Sequence, residues 1–280
     1  MRQQSPGKAL QRAVNRLFNQ DPNPDPFTLR RLRKEAETLH SHDSLTATLM
    51  LARIACMEQQ PELMVALYKP LLLQYPQQAW IHVEHALNLR KLGFYAAARE
   101  STLQAMAEDD TQPGIEQQII RDDILCGYFQ EAGAYLKQAV RASKPIFRAQ
   151  FHFLESLQSL LIQHQWSDPM VARMQQHAMD LLHAQPLYPT GILRAPAVHI
   201  SLTTAEHASL ETQQTSYTPW LRWRIHLLAT REQITRLNEQ LQQRYAADAF
   251  LPPNPQQQID LQLAPWQDEA IYNHPYAFYM

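Results

Sequence analysis

RKLGFYAAARESTLQAMAEDD, residues 90–110, and LCGYFQEAGAYLKQAVRASKP, residues 125–145, carry the pattern that decides the fold. Laid over one another, they match Gly93 with Gly127, Tyr95 with Phe129, Ala98 with Ala132 and Ala105 with Ala139, each pair 34 residues apart. One further step of 34 towards the N-terminus lands on LARIACMEQQPELMVALYKPLLLQYP. There Gln59 and Pro61 fall at the turn, Met64 and Leu71 take the two alanine places, and Pro76 closes the unit. A glycine between two helices permits the backbone angles that reverse the chain. The aromatic two residues later plugs the corner. Small alanines let two helices approach, because side-chain bulk sets their separation. A gap of seven residues is two helical turns, so both alanines of a unit lie on one face.

A fixed period of this kind marks a stacked helical array, in which each helix pair buries its apolar face only against its neighbours. These residues resemble the tetratricopeptide repeat, a helix-turn-helix unit of 34 residues, and the resemblance covers residues 45–145 as three units. Where that family carries Trp, Leu and Gly in its first helix, the middle unit has His82, His85 and Ala86, and the third has Glu116, Ile119 and Ile120. Residues 1–44 read as a degenerate helix pair broken by the Pro-rich DPNPDP. Residues 146–186 read as a longer, capping pair, with Ser167 as a cap and Pro169 in the first turn of its second helix.

The resemblance implies a peptide-binding groove lined by the first helices. Its groove-facing places fall on Thr46, Leu49, Arg53, Cys56 and Met57, on Trp80, Val83, Leu87, Arg90 and Lys91, and on Gly114, Gln117, Arg121, Ile124 and Leu125. Arg53, Arg90, Lys91 and Arg121 then form a positive wall beside Trp80, Leu87 and Gln117. Arginine makes forked bonds to carboxylates, so the implied partner is a protein or peptide with an acidic or C-terminal carboxylate group and an apolar anchor. The opposing reading is that these cations are solvated or bridge neighbouring units.

After Pro186 the pattern changes. LYPTGILRAP reads as a linker, and residues 187–280 as a small sheet-containing domain. AVHISLT, RWRIHLL and QIDLQLA alternate apolar and polar residues, the signature of strands with one buried face. This puts Trp223, Ile225 and Leu227 inward and Arg222, Arg224 and His226 outward. REQITRLNEQLQQRY has Ile234, Leu237 and Leu241 on one helix face, and Thr230 with Gln233 forms a capping box at its start. One long helix from Pro219 to Tyr245 is the competing reading. The aromatic tail IYNHPYAFYM is expected on its own sheet, with a docking peptide as the alternative. The fold class is therefore mainly α, a tetratricopeptide-like superhelix followed by a small α+β domain.

Apolar residues make up 45% of the chain and charged residues 19%, a globular balance. A net charge of -2 argues against a general nucleic-acid binder, although it leaves room for a local basic patch. Six glycines in 280 residues leave little room for phosphate-cradling loops, and no cofactor is expected. Cys56 and Cys126 lie in apolar helical stretches and read as buried thiols of a reducing compartment. The N-terminus has no apolar core of signal-peptide length, and no run approaches the roughly 18 apolar residues that span a bilayer. The expectation is a soluble, cytoplasmic protein with no membrane partner.

His82, Glu84 and His85 in WIHVEH do not have the spacing of zinc-protease motifs and have no third ligand, so they read as packing positions. His40, His42 and Asp43 read as an ordinary helix end. Nothing frames a nucleophile, and neither cysteine sits in a catalytic pattern. The leading function class is a binding scaffold or adaptor, with an assembly chaperone as a variant. The alternative is an enzyme or enzyme subunit, with residues 195–280 as working domain and the repeats as recognition arm.

Overall fold

The structure, a computed structural model, describes residues 6–141, 148–191, 197–208, 215–253, 255, 259–266 and 277–279. Among the described residues ten helices come first: α1 (Pro6–Gln20), α2 (Pro26–Leu39), α3 (Ser44–Met57), α4 (Pro61–Gln74), α5 (Ala79–Lys91), α6 (Tyr95–Glu108), α7 (Ile115–Cys126), α8 (Phe129–Arg141), α9 (Arg148–Gln163) and α10 (Asp168–His183). Then follow β1 (Val198–Ala208), β2 (Thr215–Leu227), α11 (Arg231–Ala247), β3 (Ile259–Pro265) and β4 (Ala277–Tyr279). The chain is thus mainly helical, with a small sheet near its C-terminus.

Four helix pairs turn by the same device. Gln59, Gly93, Gly127 and Gln165 have positive φ of 58°, 78°, 86° and 59°. Each turn residue donates its N–H to the carbonyl three residues back, at 3.0–3.1 Å. The next residue donates to the carbonyl five back: Gln60 to Ala55, Phe94 to Leu89, Tyr128 to Asp123 and Trp166 to Leu161, at 2.8–2.9 Å. This pair of bonds is the Schellman cap, which satisfies carbonyls left over at a helix end. The first three turns are 34 residues apart and the fourth follows after 38. The extra turn of helix lies in α9, which has 16 residues against 12 in α7. Ala98, Ala105, Ala132 and Ala139 are at most 3% exposed, and Met64 and Leu71 in the matching places are also buried.

Compactness divides the chain elsewhere than the repeat boundaries do. One unit holds α1 to α6 with Ile115 and Gly191, and the other holds Glu116–Thr190 and the sheet. The expected separate domain of residues 195–280 instead shares a unit with the helices from Glu116 to α10. The reason is that the sheet's apolar face needs them as cover: α9 lies against β2 and β4, and the Trp223 ring meets Phe129 of α8 at 5.7 Å.

The sheet order is β3-β2-β1-β4. β1 and β2 form an antiparallel ladder from Val198↔Ile225 to Ala208↔Thr215, longer than the alternating stretches alone indicate. β2 and β3 run parallel, joined through α11, as a parallel pair requires a crossover. β4 pairs antiparallel with β1, which places Ala277–Tyr279 of the aromatic tail on the sheet, while Tyr272 and Tyr276 lie outside the described residues. The long-helix alternative from Pro219 fails, since β2 runs to Leu227 and α11 begins only at Arg231. The Thr230–Gln233 capping box is present in both directions.

Val198, Ile200, Leu221, Trp223, Ile225, Ile259, Leu261 and Leu263 share the buried face. The opposite face is less open than alternation implies. Arg222 and Arg224 are half-buried, but His199, Ser201, His226 and Asp260 are buried. His226 is tied down at both ends, its backbone N–H donating to Ala197 and its ring Nδ1 lying 3.3 Å from the Pro265 carbonyl. The outer edge of β3 is closed at Leu263. Asn238 of α11 donates Nδ2 to the Leu263 carbonyl and accepts the Leu263 N–H, both at 2.9 Å. The side-chain amide thus replaces a neighbouring strand's peptide and blunts the edge against pairing.

Candidate functional site

On α5, Trp80, Val83, Leu87 and Arg90 recur at helical spacing and form one stripe. Trp80 is 39% exposed, and its indole N–H donates to Gln78 Oε1 at 3.2 Å. Val83, Leu87 and Arg90 are half-buried. Val83 packs against the core formed by Ala79, Ala105 and Ile115.

Two cations of the expected wall, Arg53 and Lys91, are used internally. Arg53 is 6% exposed. Its guanidinium donates to Asn15 of α1 and to Glu84 of α5, and lies 5.4 Å over the Phe18 ring. The opposing reading is thus realised at this position, because Arg53 bridges three successive first helices. Lys91 donates to the Gly191 carbonyl and sits 5.5 Å over the same Phe18 ring. Burial lowers its pKa, against the opposing influence of Cys56 and Asp21. Of the other groove-facing places in this unit, Leu49 and Cys56 are buried and Thr46 and Met57 half-buried. Gln117 and Arg121, both half-buried, belong to the second compact unit.

Beneath the α5 stripe lies a polar core. Asn88, fully buried, donates Nδ2 to Tyr68 Oη at 2.7 Å and to the Glu84 carbonyl at 2.8 Å. Cys56 Sγ donates to the Asn88 carbonyl at 3.5 Å. The His85 ring lies 4.7 Å from Tyr68 and 3.2 Å from Ser101 Oγ, while His82 Nε2 lies 3.0 Å from the Pro76 carbonyl. Desolvation, then the nearby His82, pushes His85 down to about 4. Burial pushes the Cys56 thiol up to about 12, which removes its nucleophilic form at neutral pH. These imidazoles and this thiol hold helices together. Among the described residues no group of three or more His, Cys, Asp or Glu is placed to hold a metal ion.

In the second unit the acidic groups also serve structure. Ser167 occupies the N-cap of α10 without a side-chain cap bond. Its neighbour Asp168 instead reaches α8, accepting the N–H groups of Gln130 and Glu131 at 2.9–3.3 Å. Asp248, just after α11, accepts Arg173 Nε at 2.7 Å and lies 2.6 Å from His177 Nε2. These two partners hold its carboxyl well below the usual carboxylate range. Asp43, read as part of a helix end, begins the next helix by accepting the Thr46 N–H at 3.0 Å.

Sequence reasoning missed one surface feature. Leu63, Ala66, Pro70 and Leu73 are all exposed, Leu73 by 75%, and their spacing sets them on one stripe of α4. The signal was present: α4 is apolar on all sides, and only Pro61, Met64, Tyr68 and Leu71 are buried. Among the described residues no helix is long and apolar enough to cross a membrane.

Comparison with protein-family models, with curated proteins and with solved structures finds no match to this chain.

Proposed function

We propose that this chain is a protein-binding scaffold or adaptor of the tetratricopeptide kind, which holds a partner's segment against the first-helix stripe of α5. The observation that carries the reading is Trp80, a large indole left 39% exposed at a first-helix place on α5. Exposed tryptophans are the residue type most often found as interface anchors. The repeated Schellman turns at 34-residue intervals and the buried alanines support the array. With Arg53 and Lys91 engaged internally, the partner's anchor is apolar first. Two buried free thiols are in keeping with a reducing cytoplasm. An assembly chaperone is the variant in which the held segment belongs to an unfinished complex.

The test is affinity capture with the full chain, followed by titration of the captured partner against wild type and Trp80→Ala. A stoichiometric partner whose affinity falls about tenfold or more in the variant supports the proposal. Far-UV circular dichroism should be unchanged. An equally tight partner for Trp80→Ala, or no stoichiometric partner, overturns it.

A further inference from the structure

α1 and α2 enclose a cleft of about 920 Å³ together with the start of α3. Leu10 and Leu39 supply apolar walls, and Lys8 and Lys34 stand on its lining from opposite helices. Gly7 is part of the lining, and a Cβ there would sit 3.5 Å from Leu39 Cδ2, an ordinary contact. The volume lies at the upper end of those of ligand-binding clefts.

The charge of this helix pair runs against that of the chain. Residues 6–39 contain seven Lys and Arg against four Asp and Glu, in a protein whose net charge is -2. Three of the four acids are already engaged. Asp21 accepts the Asn23 N–H, Asp25 caps α2 through Thr28, and Glu35 pairs with Arg31 at 2.6 Å. Asp43, which lines the cleft together with Glu35, accepts the Thr46 N–H and keeps its charge, so the lining sets Lys8, Arg31 and Lys34 against two carboxylates. Lys8 and Lys34 have no ion-pair partner among the described residues, so two ammonium groups flank an apolar recess.

We infer that the cleft between α1 and α2 is a second binding site, which takes an acidic peptide segment with an apolar side chain as its anchor. Two lysines offer carboxylates charge without demanding fixed geometry, and the recess offers an apolar side chain burial. A nucleic acid is a poorer fit, since no Phe, Tyr or Trp lines the cleft and His42 is the one ring there for a base to stack on. A membrane surface is poorer too: lipid-binding helices present an apolar face outward, whereas the exposed residues of α1 are Lys8, Ala9, Gln11, Arg12, Arg16, Asn19 and Gln20. The site is independent of the α5 stripe and stands whether or not that stripe binds a partner.

The test uses the full chain and a phage-displayed library of random peptides as probe. Selected peptides should be rich in Asp and Glu around an apolar residue. Their affinity should fall about tenfold or more in Lys8→Glu/Lys34→Glu and in Thr38→Trp, which fills the cleft from an exposed position. Trp80→Ala should bind them as wild type does, which separates this site from the α5 stripe. Raising the salt concentration should weaken binding. Peptides without acidic enrichment, or acidic peptides that bind both cleft variants as tightly as wild type, overturn the inference. Retention of anionic vesicles or single-stranded DNA with no acidic peptide selected overturns it as well.

Discussion

Gly127→Ala is the substitution whose cost the structure specifies best. Gly127 sits at φ +86°, and an alanine held in the left-handed region costs about 1–2 kcal/mol. The added Cβ would also stand 2.9 Å from the Ala172 nitrogen, 3.0 Å from the Val171 carbonyl carbon and 3.1 Å from the Ala172 Cα. These are backbone atoms at the start of α10, so relief requires a shift of the helix rather than a rotamer change. Overpacking of this kind costs about 1–3 kcal/mol more, for a total of about 2–5 kcal/mol. Gly114→Ala is the control, because Gly114 has φ +81° with nothing within 4 Å of its Cβ position. It should cost only the backbone part. Two compact units need not unfold together, so the assay is native-state hydrogen exchange, read at α8 and α10 amides for Gly127→Ala and at α5 and α6 amides for Gly114→Ala, which lies in the other unit. Exchange by unfolding in Gly127→Ala should accelerate between about 30-fold and several thousand-fold, at tenfold per 1.4 kcal/mol. A stability loss at Gly127 no larger than that at Gly114 would refute the close approach of α10 to this turn.

Ala98→Phe should lose about 1–3 kcal/mol in urea unfolding, because Ala98 is fully buried and the ring has no space; a melt like the parent's would show the repeat register to be misplaced. Asp248→Asn tests the α10–α11 clamp by pH. Arg173 and His177 lower the folded-state pKa of Asp248, so its contribution is present above the unfolded value of about 4 and is lost as pH falls through the folded one. The gap between urea melts of wild type and variant should therefore be full at pH 6 and begin to narrow only as pH falls below about 4; a gap that widens on acidification would contradict the clamp.

What could be read from the sequence was local. A turn residue, the aromatic after it and two alanines are held by neighbours within one helix pair, so their spacing alone located Gly93, Gly127 and the buried faces. Alternation likewise gave β1, β2 and β3, because a strand's two faces differ within the strand itself. Arg53 was misjudged for the opposite reason. Its position on α3 was sound, but its long side chain is claimed by Asn15 and Glu84, 38 and 31 residues away. No periodicity reports which distant acceptor captures a guanidinium. Ser167 is a similar case: its place before α10 reads as a cap, yet it makes no side-chain cap bond, while its neighbour Asp168 reaches across to cap α8. The parallel placement of β3 and the Asn238 clasp on its edge depend on how α11 crosses over, which the pattern of either element leaves open. The Trp80 stripe was legible from first-helix spacing, whereas the α4 stripe was hidden because an apolar helix reads as buried on every side.

The measurement that bears most directly on the central claim is hydrogen exchange of the full chain with and without its captured partner. The account predicts slowed exchange in residues 79–91, centred on the α5 stripe of Trp80, Leu87 and Arg90, and loss of that protection in Trp80→Ala. Protection confined to residues 197–266, with residues 79–91 exchanging as in the free protein, would contradict it.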